Sequence, residues 1–191
     1  MTLEQLKASL ARNRKLLARR IALNQKTRKR IALRKRQIKG FEGLDKGSFA
    51  LRFAVADVGK HEDAGRPNRA KWLDGWVAIF GEKWMTAQPW CGLGVWMWYH
   101  RAGLDLPKDT VSTIAIAARA RRGDKFTVVP ADKVKAGDLL VMHLGSGGPK
   151  HVGLARGPMK NGVFQTVEGN TSAGNSGSQA DGGGILSLIH I

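Results

Sequence analysis

The sequence predicts an α+β protein, and three observations carry that reading. Helix-like runs come first, at 48–60, 70–81, 91–102 and 111–121, and strand-like runs come last, near 138–143, 151–156, 163–168 and 184–190. The joints between strands are short and glycine-rich, Gly145-Ser146-Gly147-Gly148-Pro149 most plainly, so the sheet is expected to be antiparallel with the helices packed on it. Ahead of both layers stands a basic segment, 1–40, whose composition departs from the rest. A chain of 191 residues with 42% hydrophobic content suits one domain, 41–191, plus that appendage. No run approaches the ~18 apolar residues of a membrane span.

The first element is the basic segment. Residues 1–39 hold fourteen Lys or Arg against one acid, a net of +13, while the remainder holds eighteen against fourteen, a net of +4. The whole-chain charge of +17 therefore belongs mostly to this segment, which has no proline or glycine before Gly40 and is rich in helix formers. Leu3, Leu10, Leu17, Asn24, Ile31 and Ile38 recur every seventh residue and give one apolar stripe. The complementary seam carries Lys7, Arg14, Arg28 and Lys35, which strains a homodimeric coiled coil registered by Asn24. A single amphipathic helix drawn to an anionic polymer or membrane surface is the competing expectation, and a solvated tail is the plain one. Nucleic acid ranks lower as a partner, since the first 40 residues hold no aromatic side chain and no recognisable nucleic-acid module. Met1-Thr2-Leu3-Glu4 lacks a basic n-region and Lys or Arg breaks every apolar stretch, so no secretory signal is expected.

The third helix matters most, because it starts at Cys91, the only cysteine. A lone thiol makes no intrachain disulfide, and its ordinary role is that of a small buried hydrophobe. Its position argues for more. Pro89 ends the preceding segment, so Cys91 falls at the first helical turn, where unpaired N–H groups and the positive helix end stabilise a thiolate.

A histidine base would complete a nucleophilic pair, and five compete. His100 lies nine residues along the same helix, about 13 Å away on the opposite face. His61 sits in a polar stretch, and His190 is next to the last residue. His143 and His151 flank the glycine-rich turn, so either can approach one strand end; His151 is preferred because the next strand brings Glu168 back toward it. The ordinary readings are that Glu168 faces solvent and that Asp138, in Gly137-Asp138-Leu139, bonds its own turn. The six tryptophans are mostly expected in the core.

Pro89-Trp90-Cys91, Lys135-Ala136-Gly137-Asp138-Leu139-Leu140-Val141, His151-Val152-Gly153-Leu154 and Thr166-Val167-Glu168-Gly169-Asn170-Thr171, in that order, resemble the successive motifs of a CHAP domain. These are cysteine- and histidine-dependent amidohydrolases and peptidases of the papain-like superfamily that cut bacterial peptidoglycan, and many are bacteriophage endolysins. The resemblance covers roughly residues 48–188. It implies a papain-like fold with a cleft for an extended peptide stem, Cys91 as nucleophile, His151 as base, and Glu168 as the orienting acid, with Asn170 as an auxiliary or rival. It also implies peptidoglycan as substrate, cut either as an N-acetylmuramoyl-L-alanine amidase or as an endopeptidase, after holin-type release from the host cytoplasm.

This chain departs from the family in two places. Ala136 stands where proline is frequent, and Lys83-Trp84-Met85-Thr86-Ala87-Gln88 lacks the carboxylates of the calcium loop seen in some members, so no metal or other cofactor is expected. Trp90 and Gln88 are the candidates for substrate contact, with the Cys91 backbone N–H the safer oxyanion donor. The alternative from another class is a binding protein, in which an inactive papain-like domain accompanies a basic helix that contacts nucleic acid or a partner.

Overall fold

Each helix in the computed structural model of the chain begins or ends for a local reason. The structure describes residues 25, 45–143, 147–172 and 182–190, so the expectations for the basic segment 1–40 lie outside the described residues. Asp45 caps α1 (Lys46–Asp57) by accepting the Ser48 N–H at 2.9 Å, which starts the helix earlier than the apolar pattern alone suggests. Helix α2 (Lys71–Phe80) buries Leu73, Trp76, Val77 and Phe80, one stripe at helical spacing, and stops at Gly81 in the left-handed region. Helix α3 (Cys91–Arg101) is buried from Cys91 through Tyr99, as a helix enclosed on all sides must be. Helix α4 (Thr113–Arg122) is capped by Ser112, carries Arg119, Arg121 and Arg122 in its last turn and ends at left-handed Gly123.

The strands follow: β1 (Leu139–Met142), β2 (His151–Ala155), β3 (Phe164–Thr171) and β4 (Gly184–His190). They form one antiparallel sheet in the order β1-β2-β3-β4, as the short joints require. The protein is thus α+β, with α3 packed against β2 and β3 and against α1 and α2. Strand β3 runs past its expected end at 168 because the pairing shifts between Glu168 and Thr171, an inserted residue that Asn170 absorbs with a φ of 56°.

Two close approaches hold the layers together. A Cβ on Gly92 would lie 2.2 Å from the Val111 carbonyl oxygen, so only glycine lets the start of α3 touch the turn Lys108–Val111. At the other end of α3 the Tyr99 hydroxyl donates to the Gly137 carbonyl at 2.7 Å, tying the helix to the turn before β1. That hydroxyl is buried beside Asp138 and Asp45, and burial first, then those charges, push its pKa up.

Candidate active site

Cys91 is the first residue of α3, and its predecessor Trp90 supplies no side-chain cap to the helix. Cys91 is buried, 7% exposed, where α3 meets the sheet. His151 opens β2 and Glu168 lies on β3, and both side chains are only 1% exposed. The sheet register explains how they meet. Glu168 stands opposite Gly153, and His151, two residues before Gly153, shares that face of β2. A Cβ on Gly153 would fall 2.4 Å from Glu168 Cγ, so the bare glycine gives the carboxylate room to lie across β2 toward the imidazole.

Glu168 Oε2 comes within 2.9 Å of His151 Nε2, while the Thr166 hydroxyl donates to Oε1. Neither ring nitrogen has an aligned hydrogen-bond partner, so the carboxylate meets the ring at ion-pair distance but off the N–H direction. Burial alone pushes the His151 pKa down. Interaction with Cys91, and then with Glu168, outweighs it and raises the imidazole from its ordinary 6.5 to about 9. With Nε2 turned to Glu168, Nδ1 is the nitrogen left for the thiol. A thiol, an imidazole and a buried carboxylate are therefore assembled in one place from α3, β2 and β3.

Asn170 is fully buried on β3, two residues past Glu168, at the left-handed position of the bulge. Trp90 is a correction to the expectation of a substrate contact. It is fully buried, its indole N–H donates to Glu62 Oε1 at 2.7 Å, and its ring lies so close to β3 that a Cβ on Gly169 would sit 2.5 Å from it. The reason is aromatic packing, since Trp72 and Trp76 meet Trp90 edge-on with centroids 5.3 and 6.4 Å away. Trp90 is a core residue whose side chain presents no surface to solvent. Gln88 is exposed, and no side-chain contact ties it to the cluster among the described residues.

The other histidines are placed elsewhere. His100 stacks on Trp96 and approaches Asp105 Oδ1 at 2.6 Å, His61 is exposed beside Gly184, and His143 is exposed just past β1. The His190 side chain lies outside the described residues. Asp138 accepts the Lys135 N–H at 2.7 Å, which is the turn role its sequence context suggests.

Sequence reasoning missed Thr166, Gly153 and Glu62. The first two were within reach, because Thr166 is two residues from Glu168 and Gly153 two from His151, which in a strand means the same face. Glu62 carried no such signal: it joins the Trp90 indole to the Asn68 N–H, at 2.7 and 2.8 Å, across a long sequence gap.

No family model, curated protein or solved structure matches this chain. The case for its chemistry rests on the side chains themselves.

Proposed function

We propose that the chain is a cysteine-dependent amide hydrolase of the CHAP type, with a papain-like fold, that cuts bacterial peptidoglycan. The observation that carries this reading is the buried cluster of Cys91, His151 and Glu168, in which the imidazole holds its proton up to about pH 9. An imidazole of that kind is the partner a thiolate requires at neutral pH. The peptidoglycan substrate is what the resemblance of the four motifs to a CHAP domain implies.

In the proposed reaction Cys91 Sγ attacks the amide carbonyl, forming an S–C bond, while the Cys91 N–H at the uncapped start of α3 donates to the developing oxyanion. The C–N bond breaks as His151 passes its proton to the leaving amine. Water then attacks the thioester, His151 takes a proton from it, and the carboxylic product leaves with the thiol restored. Glu168 holds the ring and stabilises its positive form; Asn170 fixes the bulge that ends the acid's strand. Residues 1–39, with net +13, bring the enzyme to the anionic wall or membrane surface on this reading.

Wall digestion tests it. Purified cell walls should yield new free amines with the parent, and Cys91→Ala and His151→Ala should each lower the rate by ~10³-fold or more while folding normally; His143→Ala should keep most activity. Iodoacetamide should alkylate Cys91 and stop wall cleavage in step with the modification. Full wall cleavage by Cys91→Ala would sink the assignment.

A further inference from the structure

A cleft of about 660 Å³ opens on the far side of β1, between that strand, α4 and residues 125–129. Its size is that of ligand sites, ~300–1,000 Å³. Neither Cys91 nor His151 lines it. Its floor is a sheet edge. Along β1 the ladder to β2 uses the even-numbered residues: Asp138 O accepts from Ala155 N at 2.8 Å, and Met142 O from Lys150 N at 2.9 Å. The N–H and C=O groups of Leu139 and Val141 alternate with these and point away from β2. They make no hydrogen bond among the described residues, and neither does the backbone of residues 126–129 on the opposite wall.

The other edge of the sheet is covered at its start by comparison. On β4 the Ile185 carbonyl accepts from Gly59 N and the Ile185 N–H donates to Lys60 O, both at 2.9 Å. Among the described residues strand β1 has no such cover and, as Leu-Leu-Val-Met, it has no charge or proline to discourage a new strand. The cleft's rim is cationic. Arg121 and Lys125 are exposed on it with no ion pair among the described residues, whereas its one carboxylate, Asp138, is held by the Lys135 N–H at 2.7 Å.

We propose that this cleft binds an extended, carboxylate-bearing peptide, which adds as a strand to the free edge of β1 and sets its acidic groups against Arg121 and Lys125. From Leu139 to His143 the edge measures about 13 Å, room for four or five extended residues. Apolar side chains of the peptide would enter between Ile116, Phe126 and Val141, and its main chain would bond Leu139 and Val141. The inference does not depend on the reaction at Cys91.

The probe is a five-residue acetylated peptide alternating valine and glutamate, titrated into the full-length protein. Amide exchange by NMR should show the Leu139 and Val141 N–H groups unprotected alone and protected with peptide. Val141→Pro deletes an outward donor without touching the ladder and should weaken binding about tenfold. Arg121→Glu with Lys125→Glu should weaken it further, and added salt should do the same to the parent. A peptide N-methylated on its strand-facing amides should fail to bind, which tests the mode without altering the protein.

Three results would overturn the proposal: no change at Leu139 and Val141, equal affinity for the N-methylated peptide or for octanoate, or protection that appears with protein concentration alone, which would make the edge a contact between copies. Loss of wall cleavage in Cys91→Ala with peptide binding intact would separate this site from the thiol centre.

Discussion

Two carboxylates are buried among the described residues, Asp57 at 3% exposure and Glu168 at 1%, and their surroundings differ in kind. Asp57, at the end of α1, meets Lys60 Nζ at 2.7 Å, the Trp98 indole N–H at 3.0 Å and the Arg101 guanidinium. Two of those partners are cations, so the buried acid has its counter-charge beside it. Glu168 faces an imidazole whose charge depends on pH and on a thiol. Burying a carboxylate is costly in either place, and the partner decides what that cost returns: a fixed joint at Asp57, an adjustable proton at Glu168.

Glu168→Gln should break the second arrangement with the largest effect. The amide still fills the space over Gly153 but cannot stabilise an imidazolium, so wall cleavage should fall ~10²–10⁴-fold with little loss of cooperative unfolding. Asp57→Asn should do the opposite. It leaves Arg101 and Lys60 without their counter-charge, at a cost of about 2–3 kcal/mol in urea unfolding; ~3–5 kcal/mol would apply if those cations did not reach solvent. Activity per folded molecule should persist. Should Asp57→Asn abolish cleavage in folded protein, the division between joint and proton carrier is wrong.

How much of this was legible in the sequence depends on the range of the interaction. The helices and strands were, because periodicity and glycine punctuation are local, and the observed ends differ by a few residues where a cap such as Asp45 or a bulge at Asn170 intervenes. Cys91, His151 and Glu168 were singled out by the helix start, the choice among the histidines and the motif order; strand register brings His151 and Glu168 together, and the packing of α3 on β2 and β3 adds Cys91. Trp90 misled because its place beside the thiol in sequence suggested a groove. In three dimensions the indole turns inward to Glu62 and the stacked tryptophans, a choice made by residues 18 and 14 positions upstream and by Glu62 further still. The open edge of β1 was not legible at all, since strand order is a property of the assembled sheet.

Gly153 sharpens the comparison from the side of the acid. Its backbone lies outside the left-handed region, so alanine is tolerated conformationally, and the main obstacle is the movable Glu168 Cγ at 2.4 Å, with the Val167 carbonyl oxygen next at 3.0 Å. Gly153→Ala should displace the carboxylate from His151 and lower turnover about tenfold, with a small change in stability. Glu168→Gln in the same background should add less than it does alone, because the carboxylate is already displaced. Additive losses would mean Gly153 acts elsewhere.

The smallest effect is the pH response of His151 itself. Its pKa is raised from an unfolded value near 6.5 to about 9 in the fold. The folded state therefore binds the extra proton more tightly, and the stabilisation this brings is fully present below pH ~6.5 and is lost as pH rises through about 9. Cleavage should fall over the same upper range, as the imidazolium that protonates the leaving amine disappears. Interaction with Cys91 leads the upward influences, so Cys91→Ala should move the His151 titration, followed by ring NMR signals, to lower pH and flatten the stability loss between pH 6.5 and 9. The Asp57 cluster, held by an ammonium, a guanidinium and an indole with no imidazole or thiol among those partners, should show no such response. A His151 midpoint that stays near 9 without the thiol would leave Glu168 as the group that holds the proton, and the imidazole would then be tuned by its acid alone.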